Sequence, residues 1–282
     1  MKKGLVLEGG GIRGVFTTGV LDAFMDNFIE FDYVLGVSVG VTNGCNYITK
    51  QRGRGYRVLN NFVNDHRYMS LRNYLKTGNY FGWDWIFNDL QLKLDEFDYE
   101  KFHKSDVEMI ANITNCETGL SEFYKINGNE NFEKIYRASH AIPVITNPVN
   151  IMNSFYLDGG ISESIPLKRA FYDNCDKVLV ISTKVENYSC KPIKSHFLRM
   201  YYRKYPKIYD ALINRHTRYM KEREYLKTKA DEGLAFTIYP KKSTHFVSRV
   251  EKDLKKINKL YEIGYREGLK QIDKINLFFS SD

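Results

Sequence analysis

The sequence predicts an α/β protein in which helices cover both faces of a central, mostly parallel β-sheet. Near the amino terminus, short apolar runs alternate with glycine turns and amphipathic helical segments, an order of elements typical of such three-layer folds. Short apolar runs recur further along the chain, without an internal repeat or a low-complexity linker. The 282 residues are 43% hydrophobic and 27% charged, which is the composition of a globular protein.

The amino-terminal elements follow one another closely. Residues 4–8 are mostly apolar and lead to three glycines, which is typical of a short buried strand. Residues 15–28 carry apolar side chains at the helical period. Residues 32–37 then predict a second buried strand, and residues 39–48 predict a second helix. We therefore expect two neighbouring parallel strands, each followed by a tight turn and a helix.

The middle of the chain continues the sheet and contains one unusual segment. Residues 66–102 hold both tryptophans and eight other aromatic residues. They predict either a helical core or the wall or lid of an apolar pocket, since such pockets are lined mainly by aromatic and aliphatic side chains. A helix is expected over residues 131–141, before Pro143. Three further apolar runs fit the same sheet: residues 107–114, 121–126 and 177–182.

The carboxyl-terminal third is basic. From Lys191 onward there are 22 Lys and Arg against 11 Asp and Glu, whereas the first 190 residues hold 20 against 23. We expect an α/β domain over residues 1–190 and a basic, helical region over residues 191–282, packed on the same domain. A short strand at 235–239 and a final helix from 251 to about 275 belong to the second region. This charge asymmetry indicates an anionic partner, either nucleic acid or the phosphate face of a membrane.

Several classes of protein are excluded by composition. The four cysteines are scattered without a CxxC pair, which argues against a zinc site and a disulfide framework. No HExxH motif and no acidic calcium loop is present, so we expect neither a metal nor a cofactor. No apolar stretch approaches the ~18 residues of a membrane span. The apolar run at the start is shorter than a signal-peptide core of ~7 residues, so we expect a cytoplasmic protein.

The first motif is the glycine-rich turn Gly9-Gly10-Gly11-Ile12-Arg13-Gly14. Its GxGxxG spacing between a strand and a helix matches a dinucleotide-binding fingerprint, because glycine amides can approach an anion at a helix N-terminus. That fingerprint requires an acid at the end of the second strand, whereas Asp32 begins the strand. No Gly-Lys-Ser/Thr follows, which excludes a Walker loop. The turn predicts an anion site, and nucleotide binding stays an alternative function.

The second motif is Gly36-Val37-Ser38-Val39-Gly40, which matches the nucleophile elbow G-x-S-x-G. Such a sharp turn needs small residues two before and two after the serine, and Gly36 and Gly40 satisfy this. Both turns leave the carboxyl ends of neighbouring parallel strands, so they meet at one edge of the sheet. The glycine-turn amides can then form an oxyanion hole for an ester attacked by Ser38.

A serine nucleophile needs a base, and Asp158 is the better candidate. In Tyr156-Leu157-Asp158-Gly159-Gly160, apolar residues lead to an acid at a glycine turn, as expected at a sheet edge. An Asp-Gly pair is also typical of a plain turn. His140 precedes a proline at a helix end, which is typical of a structural or solvent-exposed residue. No histidine has the strand-then-loop setting of a catalytic one; the six are His66, His103, His140, His196, His216 and His245.

Together these segments resemble the patatin-like phospholipases. The motifs Gly9–Gly14, Gly36–Gly40 and Asp158–Gly160 stand in that family's order and approximate spacing, and residues 137–149 resemble the segment before the family's aspartate. The resemblance covers residues 4–185. It extends, less specifically, to Tyr239-Pro240-Lys241-Lys242 and to Leu260-Tyr261-Glu262-Ile263-Gly264-Tyr265, which look like a bacterial subgroup.

The resemblance implies a Ser–Asp dyad without histidine. Ser38 would be the nucleophile and Asp158 the base, with Gly159 and Gly160 forming the turn after it. The oxyanion would be held by the glycine-rich loop, whose members are Gly9, Gly10, Gly11, Ile12, Arg13 and Gly14. The chain departs from the family at His140, where small residues are common, and at Val39, which is bulkier than the usual alanine. The second departure shifts the expected oxyanion donation to Gly10 and Gly11.

The implied function is that of a serine lipid acyl hydrolase acting through an acyl-enzyme on a phospholipid or another acyl ester. A non-lipid esterase or an acyltransferase on the same dyad is the alternative, and a nucleotide-binding protein is the less favoured one. No nucleic acid is expected as a partner. The segment 194–229 predicts either a solvated helical face or peripheral association with an anionic membrane, with four of its basic residues as candidate contacts: Lys204, Lys207, Arg215 and Arg218.

Overall fold

The computed structural model describes residues 1–193, 195–241 and 246–281. Lys194, Lys242, His245 and Asp282, which belong to segments discussed above, lie outside the described residues. In the part of the chain that the structure covers, no helix is both long and apolar enough to cross a membrane.

Within these residues, eight strands form one sheet. They are β1 (Lys3–Leu7), β2 (Tyr33–Val37), β3 (Glu108–Asn115), β4 (Ser121–Lys125), β5 (Val149–Ile151), β6 (Ser154–Asp158), β7 (Lys177–Ile181) and β8 (Ala235–Ile238). The order is β5-β6-β3-β2-β1-β7-β8, and β4 pairs with β3. β3, β2, β1, β7 and β8 are parallel, whereas β4 and β6 run antiparallel to β3, and β5 runs antiparallel to β6. The mostly parallel sheet that the sequence predicts is confirmed.

The helices connect these strands and cover them. They are α1 (Val15–Asp26), α2 (Val39–Ile48), α3 (Arg54–Phe62), α4 (Leu71–Thr77), α5 (Trp83–Trp85), α6 (Tyr99–Lys104), α7 (Phe132–Ser139), α8 (Leu167–Tyr172), α9 (His196–Tyr201), α10 (Pro206–Ile213), α11 (Arg215–Asp231) and α12 (Leu254–Ser280). α5 continues directly into a π-helix, Ile86–Leu94. Two 3₁₀ turns, Gly11–Gly14 and Gly159–Ile161, follow β1 and β6.

Successive residues of β1 point to opposite faces of the sheet, and each face is covered by helices. Leu5 and Leu7 belong to a large apolar cluster that includes residues of α1, α2 and α12. Val6 belongs to a second cluster, which includes residues of α8 and α11. The expected three-layer α/β arrangement is therefore confirmed.

The chain after residue 190 contributes to the sheet and to both helical layers. β8 pairs with β7 at one end of the sheet, and α11 lies in the second cluster. α12 runs along α1 at close range, because a Cβ on Gly19 or Gly264 would overlap the backbone of the other helix. The final helix is longer than the sequence predicts and begins three residues later.

Candidate active site

Ser38 lies at the turn between β2 and α2. Its backbone has φ 55° and ψ −129°, a conformation that costs free energy for a residue with a side chain and is concentrated at functional sites. The elbow is closed so tightly that a Cβ on Gly36 would lie 2.5 Å from the backbone nitrogen of Val41, and one on Gly40 would overlap the carbonyl of Leu7. Glycine is therefore required two residues before and two residues after Ser38.

The register of the sheet brings Asp158 to Ser38. Along one edge of β3, Asn112 pairs with Val37 of β2, and the next residue, Ile113, pairs with Asp158 of β6. β2 and β6 therefore lie on the same side of β3. Because they run in opposite directions, their carboxyl-terminal ends meet there. The Ser38 side chain lies close enough to the Asp158 carboxylate to lower the pKa of that carboxyl group.

The Asp158 carboxyl group is 7% exposed. Its Oδ1 accepts a hydrogen bond from the backbone N–H of Gly160 at 2.8 Å. Burial raises the pKa of Asp158, and the neighbouring Ser38 hydroxyl, the hydrogen bond from Gly160 and the charges of Arg215 and Arg249 partly oppose this rise. The carboxylate is thus a stronger base than a solvated aspartate, and it is held in one orientation.

The glycine loop after β1 lies directly against the elbow. A Cβ on Gly9 would come within 2.9 Å of the Ser38 Cβ, and one on Gly10 within 2.8 Å of Thr183 Oγ1. Gly11 has φ +58°, which favours glycine. Among the described residues, no backbone carbonyl accepts the N–H of Gly10 or Gly11. These two amides are therefore available beside Ser38.

The second half of the loop has structural contacts. The N–H of Ile12 donates to the carbonyl of Arg249 at 3.0 Å, and Arg13 Nε donates to the carbonyl of Val247 at 2.8 Å. Gly14 leaves no room for a side chain against α2. The Ile12 N–H therefore already has an acceptor within the fold. The glycines before Ile12 remain the candidate oxyanion donors of the loop.

Two cavities meet at Ser38. The first, of about 90 Å³, is apolar and extends beneath α2. The second, of about 300 Å³, lies on the Asp158 side. Both include Ser38 and Gly11 in their walls. Residues 66–102 supply much of the apolar wall, including Met69, Phe81, Trp83 and Leu90. This segment therefore packs in the core and also lines a pocket.

The wall of the apolar cavity also contains polar residues that no sequence motif indicated. Arg54 is 4% exposed and forms an ion pair with Asp95 at 3.3 Å. Its Nη1 donates to Asn46 Oδ1 at 3.0 Å, which fixes the orientation of the amide. The Asn46 Nδ2 group has no hydrogen-bond partner among the described residues. Two of the residues that line the apolar cavity are therefore polar, and one of them contains a buried hydrogen-bond donor without a partner among the described residues.

His140 lies in the wall of the apolar cavity and is buried, so the solvent-exposed interpretation is wrong and the structural one holds. Its Nε2 is 2.9 Å from Thr42 Oγ1, its Nδ1 is 2.8 Å from the carbonyl of Tyr136, and its ring stacks on Tyr136. Burial lowers the pKa of His140 to about 4, so the imidazole is neutral at pH 7. No other described histidine lines either cavity; these are His66, His103, His196 and His216.

α11 holds the turn that follows Asp158. Arg215 and Arg218 donate to carbonyls of residues 160–162, with distances from 2.5 to 3.0 Å. Glu222 accepts from two backbone N–H groups of residues 164 and 165, at 3.0 and 2.9 Å. Arg215 and Arg218, two of the candidate membrane contacts, are therefore half-buried and bind the backbone beside the candidate base.

A strained serine elbow, a hydrogen-bonded aspartate and a glycine loop thus lie together at one edge of the α/β sheet. The sequence matches the patatin-like phospholipase family over residues 5–171. The chain belongs to this family, which assigns it to the lipid hydrolases. Residues 205–280 match a domain of unknown function, DUF6363.

Relatives of this chain are found in bacteria and viruses. The uncharacterized protein YjjU of Escherichia coli (strain K12) is 29% identical over 261 residues, with 86% of this chain and 70% of that protein covered. The probable lipid hydrolase 463L of Invertebrate iridescent virus 6 is 26% identical over 216 residues, with 66% and 71% covered. The crystal structure of VipD from Legionella pneumophila superposes with a TM-score of 0.49 at 12% identity, with 97% and 67% covered.

Proposed function

We propose that the protein hydrolyses carboxylic esters of lipids with a Ser38–Asp158 dyad and without histidine. The observation that carries this proposal is the meeting of the strand ends that bear Ser38 and Asp158, which brings the serine hydroxyl beside a buried carboxylate whose pKa is raised by burial. Asp158 takes the hydroxyl proton as Ser38 Oγ attacks the acyl carbon. The N–H groups of Gly10 and Gly11 stabilise the negative charge that develops on the carbonyl oxygen.

The same two residues complete the reaction. The ester C–O bond breaks, the departing alcohol oxygen takes the proton from Asp158, and the acyl group stays bonded to Ser38 Oγ. Water then enters, gives a proton to Asp158, and attacks the acyl carbon. The C–O bond to Ser38 breaks, and the serine oxygen recovers the proton, which regenerates the dyad and releases a fatty acid.

The two cavities divide the substrate between them. We place the acyl chain in the apolar cavity beneath α2, because its wall is the more apolar of the two and contains aromatic side chains of residues 66–102, whereas most of the charged side chains line the other cavity. The alcohol half of the ester then lies on the Asp158 side, where it leaves. The apolar cavity favours a lipid over a small non-lipid ester. An acyltransferase would pass the acyl group to an alcohol in place of water, so the identity of the products distinguishes it from a hydrolase.

We also propose that the protein docks on an anionic membrane at the mouth of the cleft, which is the cavity on the Asp158 side. The docking surface, called here the membrane-facing rim, consists of α4 and α9. The rim exposes large apolar side chains: Leu71, Leu75, Phe197 and Met200. Basic residues stand beside them: Arg72, Lys76 and Arg199 in the two helices, and Arg203 just after α9. Apolar side chains flanked by Lys and Arg suit an interface with anionic lipids. Leu198, on the other side of α9, lines the cleft, so docking would bring the cleft to the lipid.

Labelling with a fluorophosphonate probe tests the nucleophile. The wild-type protein should be labelled at one serine, and Ser38→Ala should abolish labelling. The matched control is Ser189→Ala, which removes an exposed serine near the cleft and should label as the wild type does. A panel of phospholipids and neutral esters then identifies the products. Labelling of Ser38→Ala at the wild-type rate contradicts the proposal.

A further inference from the structure

The peptide unit between Gly9 and Gly10 is held by Thr183, which lies two residues after the end of β7. Thr183 is fully buried, and its Oγ1 donates a hydrogen bond to the carbonyl of Gly9 at 2.7 Å. The peptide bond is trans, so its N–H, which belongs to Gly10, points away from the carbonyl that Thr183 binds. A side chain that follows another strand therefore sets the orientation of a candidate oxyanion donor.

Thr183 is itself fixed by Glu8, the residue before the glycine loop. The N–H of Thr183 donates to Glu8 Oε2 at 2.7 Å, and the same oxygen accepts from Ser182 Oγ at 2.5 Å. The other carboxylate oxygen accepts from Tyr219 OH at 2.7 Å. Both oxygens of this buried carboxylate therefore have donors, and the end of β7 is held in one position against the loop after β1.

Lys184 begins a chain of hydrogen bonds that ends at the same peptide. Its Nζ donates to Thr183 Oγ1 at 3.0 Å, and that hydroxyl donates in turn to the Gly9 carbonyl. Lys184 is 6% exposed, so water screens its charge little. Hydrogen bonds in such a chain polarise one another. A cation at the start of the chain therefore makes the Gly10 N–H a stronger donor to negative charge.

We infer that Thr183 is a positioning residue for the oxyanion hole and that Lys184 strengthens the hole through Thr183. This inference rests on the proposed function, which supplies Ser38 as the nucleophile and the Gly10 N–H as an oxyanion donor. Both side chains act through the Gly9–Gly10 peptide, without a contact to the reacting atoms. Their effect belongs to the transition state, in which the carbonyl oxygen becomes negative, so it should change kcat and leave KM unchanged.

Thr183→Val removes the hydroxyl and keeps the branched shape of the side chain. On the soluble ester 4-nitrophenyl hexanoate we expect kcat to fall by about ten- to a hundredfold, because loss of a whole oxyanion donor costs about 10²–10³ and here the donor stays but loses its orientation. Thr183→Ser restores the hydroxyl and should recover most of the activity.

Thr49→Val is the matched control. Thr49 is buried, and its Oγ1 also donates to a backbone carbonyl, that of Cys45, at 3.0 Å. Neither cavity has Thr49 among its described wall residues. The control variant should keep the wild-type kcat, and thermal unfolding of all variants shows that they are folded.

Two matched ketones separate the oxyanion hole from general damage to the site. In 1,1,1-trifluorooctan-2-one the carbonyl carbon accepts Ser38 Oγ, the hydroxyl proton passes to Asp158, and the carbonyl oxygen becomes negative. Octan-2-one has the same chain and binds without forming this adduct. Thr183→Val should raise the Ki of the trifluoroketone by the factor by which kcat/KM falls, and it should leave the Ki of octan-2-one unchanged.

The charge of Lys184 provides a second measurement. Burial lowers the pKa of Lys184 to about 8, although Glu8 opposes this. The wild-type kcat should therefore fall severalfold as the pH rises through about 8 and the lysine loses its charge. This basic limb should be absent in Lys184→Met and smaller in Thr183→Val. The other charged and titratable groups around the Lys184 side chain are Arg13, Tyr188, Arg215 and Arg249.

The outcomes distinguish the positioning role from the hydrolase itself. A folded Thr183→Val with the kcat of Thr49→Val, or with equal changes of Ki for the two ketones, overturns the role of Thr183 while the hydrolase stands. A basic limb that persists in Lys184→Met overturns the role of Lys184. If Thr183→Val does not fold, Thr183→Ala, which also lacks the hydroxyl, carries the same comparisons. A wild-type protein that neither hydrolyses the ester nor is labelled by the fluorophosphonate probe contradicts the proposed function.

Discussion

The protonation state of Asp158 controls the reaction at the level of single residues. The carboxyl group must be ionised to accept the Ser38 proton, and burial raises its pKa above the ordinary value. We therefore expect kcat/KM on a neutral, soluble ester to fall as the pH drops through a value above the ~3.9 of a solvated aspartate. The measurement is a pH–rate profile between pH 3.5 and pH 8, taken over the range in which the protein stays folded.

The same profile tests the role of His140. Its pKa is lowered to about 4 by burial, so it is neutral over most of the range and contributes no step near pH 6.5. An acid limb near pH 6.5 that disappears in His140→Gln would show that a histidine is the base, and the Ser38–Asp158 assignment would then fail.

The residues of the elbow were predictable because their requirement is local. Gly36, Ser38 and Gly40 lie within five residues of one another, and a Cβ on Gly36 would meet the backbone of the turn itself, whereas one on Gly40 would meet Leu7 of β1. Lys184 and Arg215 were not predictable as cleft residues. Lys184 meets Glu8 through the pairing of β7 with β1, and Arg215 meets Gly160 through the packing of α11. Long-range packing of this kind has no signature in the sequence.

The contact between α11 and the turn after Asp158 depends on pH. Burial and the nearby charge of Glu163 raise the pKa of Glu222 to about 7, against the hydrogen bonds that it accepts from Ser164 and Ile165. In the unfolded chain a glutamate titrates near ~4.3. Between these two values the folded state binds more protons than the unfolded state, so the stability that Glu222 contributes is lost as the pH rises from ~4.3 through about 7.

We expect the free energy of unfolding to fall by about 2 kcal/mol between pH 5 and pH 8 through this group alone. Glu222→Gln should remove that part of the pH dependence. The measurement is guanidinium unfolding of both proteins at the two pH values, with Glu224→Gln, an exposed neighbour on α11, as the control. A pH dependence that is the same in Glu222→Gln and in the wild type would contradict the assignment.

The membrane-facing rim is the second element whose role can be tested. Reversing Arg199 and Arg203 to Glu should weaken binding to anionic vesicles, since each basic residue near an anionic surface contributes about 1 kcal/mol. Hydrolysis of a soluble short-chain ester should change little. The control reverses Lys221 and Lys227, which are exposed on α11 and outside the rim. Vesicle binding is measured by co-sedimentation at two salt concentrations, because screening shortens the Debye length. Equal effects of the two double variants would exclude the rim.

Across the whole molecule, the basic carboxyl-terminal part folds onto the slightly acidic first part. β8 extends the sheet and α12 packs along α1. α11 carries Arg215 to the same edge as Ser38. Two basic residues of the carboxyl-terminal part, Arg215 and Arg249, thereby line the same cavity as Ser38.

Most of the central sheet could be predicted because its strands are short, buried and continuously apolar. The runs at residues 4–8, 32–37 and 177–182 become β1, β2 and β7 within one residue at either end. The antiparallel direction of β4 was not predictable, because a strand that is buried on one side reads the same in either direction. The π-helix Ile86–Leu94, three of whose residues line the apolar cavity, was not predicted from the sequence either.

The central claim is that Asp158, and no histidine, is the base for Ser38. It is tested most directly by the kcat of Asp158→Asn and of His140→Gln on the same soluble ester, with folding of both checked by thermal unfolding. We expect Asp158→Asn to lose several orders of magnitude, about as much as Ser38→Ala, because residues that act as a unit fail together. His140→Gln should stay within about tenfold of the wild type, since it loses only packing and hydrogen bonds to Thr42 and Tyr136. A folded Asp158→Asn that retains activity, or a folded His140→Gln as inactive as Ser38→Ala, would contradict the claim.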